Sequence, residues 1–94
     1  MNQYESIIIV NPNLDEEALK ALEEKFTGLI NENGKVESVE HMGKKKLAYE
    51  IKKQAEGTYL LFNFEAKPDS IKELERVYRI TDDIMKFIVV RKED

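Results

Sequence analysis

Apolar residues recur with two different periods along this chain, and the changes of period divide it into six elements. From Gln3 to Val10 the residues are largely β-branched and apolar on both alternating faces. Tyr4, Ile8 and Val10 share one face and Ile7 and Ile9 the other, as in a strand from the middle of a sheet. Asn11-Pro12-Asn13 stops that strand. Leu19, Leu22, Phe26, Leu29 and Ile30 then fall on one helical stripe. Asn13 is the expected N-cap, with Glu16 three residues on as its reciprocal partner. Asn33-Gly34 is the expected end, with the glycine in a left-handed cap.

The period then returns to two. Lys35 to Lys53 reads as a long strand interrupted near Met42-Gly43, with Leu47, Tyr49 and Ile51 alternating against Lys46, Ala48 and Glu50. Glu56-Gly57 is the expected turn into a strand over Thr58–Ala66. Leu60, Phe62, Phe64 and Ala66 are expected in the core, with Tyr59, Leu61 and Asn63 on the other face. Pro68-Asp69-Ser70 opens a second helix, with Ser70 and Glu73 at capping-box spacing and Ile71, Leu74, Val77 and Tyr78 as its buried stripe. Ile84 to Arg91 reads as the last strand, and Lys92, Glu93 and Asp94 are expected to fray.

The order β-α-β-β-α-β is that of a split β-α-β fold of the α+β class. Right-handed crossovers put both helices on one side of a four-stranded antiparallel sheet with strand order 4-1-3-2. The other side should then be polar in a protein that works alone. If Leu60, Phe62, Phe64 and Phe87 face the helices, Tyr59, Leu61, Ile88 and Val90 point away from them. Ile7 and Ile9 join that set if Tyr4 and Ile8 turn inward, but both faces of the first and last strands are apolar, so the pattern leaves their phase open. Such a patch would expose on the order of 400 Å² of apolar surface. Covering it contributes roughly 10 kcal/mol gross, against an association cost of about 4–15 kcal/mol. A patch of this size makes a firm complex only with a second source of affinity. The alternative is that β-branched residues merely fill a sheet.

Composition changes this picture mainly through charge. The chain has 94 residues, the length of one domain. Fifteen Lys and Arg stand against 19 Asp and Glu, for a net charge of −4, which excludes a uniformly basic nucleic-acid sleeve. Yet Lys44, Lys45, Lys46, Lys52 and Lys53 fall within ten residues with only Glu50 opposing them, a local charge of +4. Lys86, Arg91 and Lys92 add positive charge on the last strand, whereas the first helix is acidic. A basic patch on an acidic protein suits docking to one particular polyanion. The competing reading is an edge strand whose lysines discourage aggregation. Four such charges on four phosphates would give a salt slope of roughly −3. Tyr4, Tyr49 and Tyr59 could stack on bases. The run Glu56 to Phe62 only faintly echoes the sheet motif of RNA-recognition modules.

Little supports catalysis or a cofactor. The chain has no Cys, which excludes disulfides, thiolate zinc sites and thiol nucleophiles. His41 is its only imidazole and lacks a metal-binding companion. Ser6, Ser38 and Ser70 have no visible base, and the acid pairs Glu16-Glu17 and Asp82-Asp83 sit beside turns and caps. No Gly-rich phosphate loop follows the first strand. Met42 and Met85 read as packing residues. The longest apolar runs, as at Ile7–Val10 and Phe87–Val90, are four residues, too short to span a membrane. A cytoplasmic protein is expected.

The run Gly43-Lys44-Lys45-Lys46-Leu47-Ala48-Tyr49-Glu50-Ile51-Lys52 is more specific. It resembles the signature of the bacterial ribosomal protein S-six family, the sixth protein of the small ribosomal subunit. Tyr4-Glu5, Asn11-Pro12-Asn13-Leu14, Gly57-Thr58-Tyr59 and Arg79-Ile80-Thr81-Asp82 also resemble that family, so the likeness spans the chain. It implies a ferredoxin-like fold and a structural role in the small subunit. It further implies binding to the central domain of the small-subunit ribosomal RNA together with ribosomal protein S-eighteen. On that reading Tyr4, Lys44, Lys45, Lys46, Lys86 and Arg91 contact RNA, and Ile9, Tyr49, Tyr59, Leu61 and Ile88 contact the protein partner. A small-molecule-binding regulatory domain of the same fold is the rival reading, since this architecture hosts many activities.

Overall fold

Hydrophobic alternation draws four strands into one antiparallel sheet, and two amphipathic stripes close over one side of it. The computed structural model describes residues 1–92. In chain order the elements are β1 (Asn2–Val10), α1 (Glu16–Asn31), β2 (Gly34–Ile51), β3 (Gln54–Ala66), α2 (Ser70–Ile80) and β4 (Ile84–Arg91). The strands lie in the order β2-β3-β1-β4, the ferredoxin-like arrangement that the element order implies.

The phase of β1, open in the sequence, is fixed by what the helices bring to it. Tyr4, Ser6, Ile8 and Val10 face the helical layer and are buried. The inward Ser6 is tolerated because its hydroxyl and that of Tyr78 on α2 form a buried hydrogen bond of 2.8 Å. Around that pair, Phe26 and Phe87 pack on the Tyr78 ring at 4.7 and 5.3 Å between centroids. Leu60, Phe62, Phe64 and Ala66 complete the core from β3, as expected.

Several local expectations are corrected. Asn13 does not cap α1. Asp15 does, its carboxylate accepting from the Ala18 amide at 2.8 Å, while Asn11 accepts from the Asn13 amide and shapes the preceding turn. Gly34 is not a left-handed cap; it opens β2, where a Cβ would collide with the Glu65 carbonyl and the Ala66 backbone. Ser70 makes no capping box with Glu73. Its hydroxyl donates back to the Lys67 carbonyl at 2.7 Å, and Glu73 pairs instead with Arg76. That guanidinium, mainly through its hydrogen bonds, holds the Glu73 carboxyl below the usual range.

The interruption foreseen at Met42-Gly43 is a bulge, with Gly43 at φ +78° and Met42 exposed rather than packed. Glu56-Gly57 is not the turn. The chain reverses at Lys52-Lys53, both at positive φ (49° and 66°), and β3 begins at Gln54. Gly57 lies inside β3 because the Ile9 side chain occupies the space where a Cβ would stand. Lys92 is tied down, its amide donating to the Gln3 carbonyl at 2.8 Å; the expectation for Glu93 and Asp94 lies outside the described residues.

Candidate protein and nucleic-acid interface

The strands β2 and β3 outrun β1. β1 ends at Val10, paired with Thr58, while β2 and β3 continue as a two-stranded arm from Lys44 to Gly57. The arm reaches past the end of β1 to β4. Lys52 Nζ donates to the Asp82 and Ile84 carbonyls at 3.3 and 3.4 Å, and Lys86 Nζ lies 3.2 Å from the Tyr49 hydroxyl. Leu47 packs beside Gly57, close to Ile9.

The side of the sheet away from the helices is apolar along its middle. Ile7 pairs with Leu61 on one flank and Ile88 on the other, and Val90 continues the row. Ile88 and Val90 are 48% and 53% exposed, a notable amount for aliphatic residues side by side. A depression of about 230 Å³ is lined by Ile7, Ile9, Tyr59, Lys86, Phe87 and Ile88. One end of this stripe is closed by a polar chain. Asn63 donates to Ser38 and accepts from Lys92, whose ammonium also lies 4.0 Å from Glu5. The other end carries two lysine–tyrosine pairs, Lys45 over Tyr59 at 5.5 Å and Lys86 over Tyr49 at 5.7 Å from the ring centres.

The expected contact residues distribute unevenly over this surface. Lys45 and Lys86 stand together at the apolar stripe's end. Lys44 and Lys46 alternate to the opposite side of the arm, opposite Thr58 and Glu56. Tyr49, Tyr59, Leu61 and Ile88 all lie on or beside the open face. Two expectations fail on burial. Tyr4 is 7% exposed, its ring stacked on Phe64 at 5.7 Å, so it cannot offer a platform to a base. Ile9 has the open-face phase but is 8% exposed, sunk against Gly57. Arg91 pairs with inward-facing Tyr4 at the far end of β4 from Lys86.

Local sequence held no sign of the Ser38–Asn63–Lys92 chain, nor of the Arg79 guanidinium over the Phe87 ring, 5.6 Å from its centre, because each joins residues from different elements. His41 pairs with Glu23 and ties β2 to α1. Among the described residues no helix is long and apolar enough to cross a membrane. Nor is any group of three or more His, Cys, Asp or Glu placed to hold a metal ion.

Comparison with known proteins agrees with this architecture. The family described as Ribosomal protein S6 matches residues 3–91. Small ribosomal subunit protein bS6 of Clostridium novyi is 55% identical over 94 residues, covering 99% of each chain. The protein of the same description from Clostridium botulinum is 50% identical, covering 99% of this chain and all of its own. The crystal structure of 30S ribosomal protein S6 from Thermotoga maritima superposes with a TM-score of 0.91 at 40% identity, covering 97% of this chain and 87% of that one. The chain therefore belongs to the ribosomal protein S6 family, structural proteins of the small subunit of the cytoplasmic ribosome.

Proposed function

We propose that this small-subunit protein binds small-subunit ribosomal RNA, in its central domain, through the β2–β3 arm and the adjoining start of β4. Ribosomal protein S-eighteen takes the open face of the sheet. The observation that carries the reading is the aliphatic row Ile7, Leu61, Ile88 and Val90, with Lys45 and Lys86 held over tyrosines at one end. Apolar surface gives a protein partner affinity without direction, and the lysines at its margin add a salt-dependent attraction for phosphate. Each is modest alone; side by side they favour two partners that meet at this margin. Tyr59, Leu61, Ile88 and Tyr49 serve the protein partner, and Lys44, Lys45, Lys46 and Lys86 serve the RNA. Arg91 makes a separate, outlying RNA contact. No catalytic step and no cofactor enters this role.

The test is a titration of a central-domain RNA fragment with the wild type and with a Lys44/Lys45/Lys46→Ala variant, at several salt concentrations. All three lysines are exposed, so the variant should fold. It should bind the RNA more weakly, with a salt slope shallower by about 2–3. Equal affinity and slope would remove the arm from the RNA interface.

A further inference from the structure

We propose that the cleft between the arm, the end of α2 and the start of β4 is a second phosphate-binding site, with Arg79 and Lys52 as the residues that grip an RNA phosphate. This inference rests on the RNA-binding reading above and extends it to Arg79 and Lys52, which that reading does not use. A depression of about 330 Å³ is lined by Lys52, Tyr78, Arg79, Ile84, Met85, Lys86 and Phe87. Three of those residues are cations, contributed by three separate elements, and none is an acid. The chain as a whole carries a net charge of −4, so a wall with three cations and no acid is unusual on its surface.

Each cation is exposed, and among the described residues none of the three makes a salt bridge. The nearest acids in sequence, Asp82 and Asp83, do not line the depression. Asp82 contributes its backbone carbonyl, not its carboxylate, to Lys52. All three side chains are also held in place, Lys86 by Tyr49. The Arg79 guanidinium lies over the Phe87 ring at 5.6 Å from the centre. The Arg79 side chain makes no ion pair among the described residues, and the N–H edge of a free guanidinium matches two phosphate oxygens at once. Lys52 Nζ donates to two carbonyls, which leaves one of its three donors for a ligand.

Lys86 and Phe87 line both depressions, so the cleft adjoins the open-face margin where the Lys86 ammonium meets Tyr49. A backbone that enters beside Lys45 and Tyr59 therefore finds its next phosphate contacts at Lys86, Lys52 and Arg79. A chain of anions at fixed spacing suits such a row better than a single small anion does. The cleft's walls are otherwise Tyr78, Ile84, Met85 and Phe87; the Tyr78 hydroxyl is taken up by Ser6, so these side chains offer no hydrogen-bond pattern for reading a base. Binding here should thus be insensitive to sequence.

The test uses the full chain and the same central-domain RNA fragment, with Arg79→Gln, Arg79→Lys and Lys52→Gln compared with the wild type and with the Lys44/Lys45/Lys46→Ala variant. Arg79→Gln should weaken binding roughly tenfold and make the salt slope shallower by about 1. Arg79→Lys should restore the slope but only part of the affinity, because a point charge replaces a fork. Lys52→Gln should act in the same direction as Arg79→Gln. Unchanged thermal melts would confirm intact folds. If the triple-lysine variant loses RNA while Arg79→Gln and Lys52→Gln keep wild-type affinity and slope, the cleft is no phosphate site and the arm's role stands. If those two variants instead weaken only the association with the protein partner, the cleft is a protein contact and the proposal is overturned. If the wild type itself fails to bind the fragment, with or without the partner, both readings fall together.

Discussion

Lys86 on β4 and Tyr49 on β2 stand at opposite margins of the sheet order, with β3 and β1 between them, yet Lys86 Nζ lies 3.2 Å from the Tyr49 hydroxyl. The contact exists because the arm outruns β1 and crosses to the last strand. Lys52 makes a second bridge, to the carbonyls of Asp82 and Ile84. A basic hairpin that would otherwise project into water is thereby brought to the edge of the apolar face.

Freeing the arm should leave the domain folded. Tyr49→Phe removes the hydroxyl at an exposed position, so stability should change by less than about 0.5 kcal/mol. Adding Lys52→Gln should raise hydrogen exchange over residues 44–56 without changing the core's protection. Unchanged exchange in the arm would show that its backbone pairing alone positions it.

Gly57 should tolerate no larger residue. A methyl group there would overlap Cγ2 of Ile9, and both residues lie between well-packed strands. Gly57→Ala should destabilise by about 1–3 kcal/mol in urea unfolding. A paired Gly57→Ala/Ile9→Ala variant, which removes the clashing group, should recover part of that loss relative to Ile9→Ala alone. Full additivity of the two losses would contradict the packing described.

The hairpin turn should be improvable. Lys53 sits at φ 66°, a left-handed conformation that costs an L residue about 1–2 kcal/mol and glycine almost nothing. Lys53→Gly should stabilise the protein by up to about 1 kcal/mol after the entropy of glycine is counted. Loss of stability would mean that the lysine side chain compensates for its backbone.

Alkaline pH should destabilise the protein through Tyr78. Burial pushes its phenol up to about 12, against a smaller lowering by the hydrogen bond with Ser6. An unfolded tyrosine loses its proton near pH 10. Between about pH 10 and 12 the unfolded state therefore binds fewer protons, and stability falls as pH rises, by about 2–3 kcal/mol over that window. Tyr78→Phe should flatten this fall in urea melts taken from pH 9 to 12. An equally steep fall in the variant would assign it to other groups.

Periodicity carried most of the fold, because long strands with clean alternation admit one register against amphipathic helices. Leu60, Phe62, Phe64 and Ala66 were readable for that reason. The first strand was not, since both its faces carry apolar residues; the distant Tyr78 hydroxyl satisfies Ser6 on the face that turns inward. Glycines misled because one residue type serves several needs. Gly34 and Gly57 answer close approach of neighbouring atoms, and only Gly43 answers a positive φ. The turn itself fell on two lysines, which no turn preference would select. For the interface, the alternation of β3 and β4 correctly exposed Ile88 and placed Leu61 and Tyr59 on the open face. Tyr4 was lost to the core that its own alternation with Ile8 required. The cleft at Arg79 draws on three elements, and pattern within any one of them could not reveal it.

The most direct test of the two-partner account is the gain in RNA affinity when the protein partner is added. Central-domain RNA should be titrated with the wild type, Ile88→Asp and Leu61→Asp, with and without ribosomal protein S-eighteen. A carboxylate in the aliphatic row should abolish the gain while leaving binding to RNA alone within about twofold, because the lysines of the arm are untouched. If both variants keep the full gain, the open face is not where the protein partner sits, and the account of this surface is wrong.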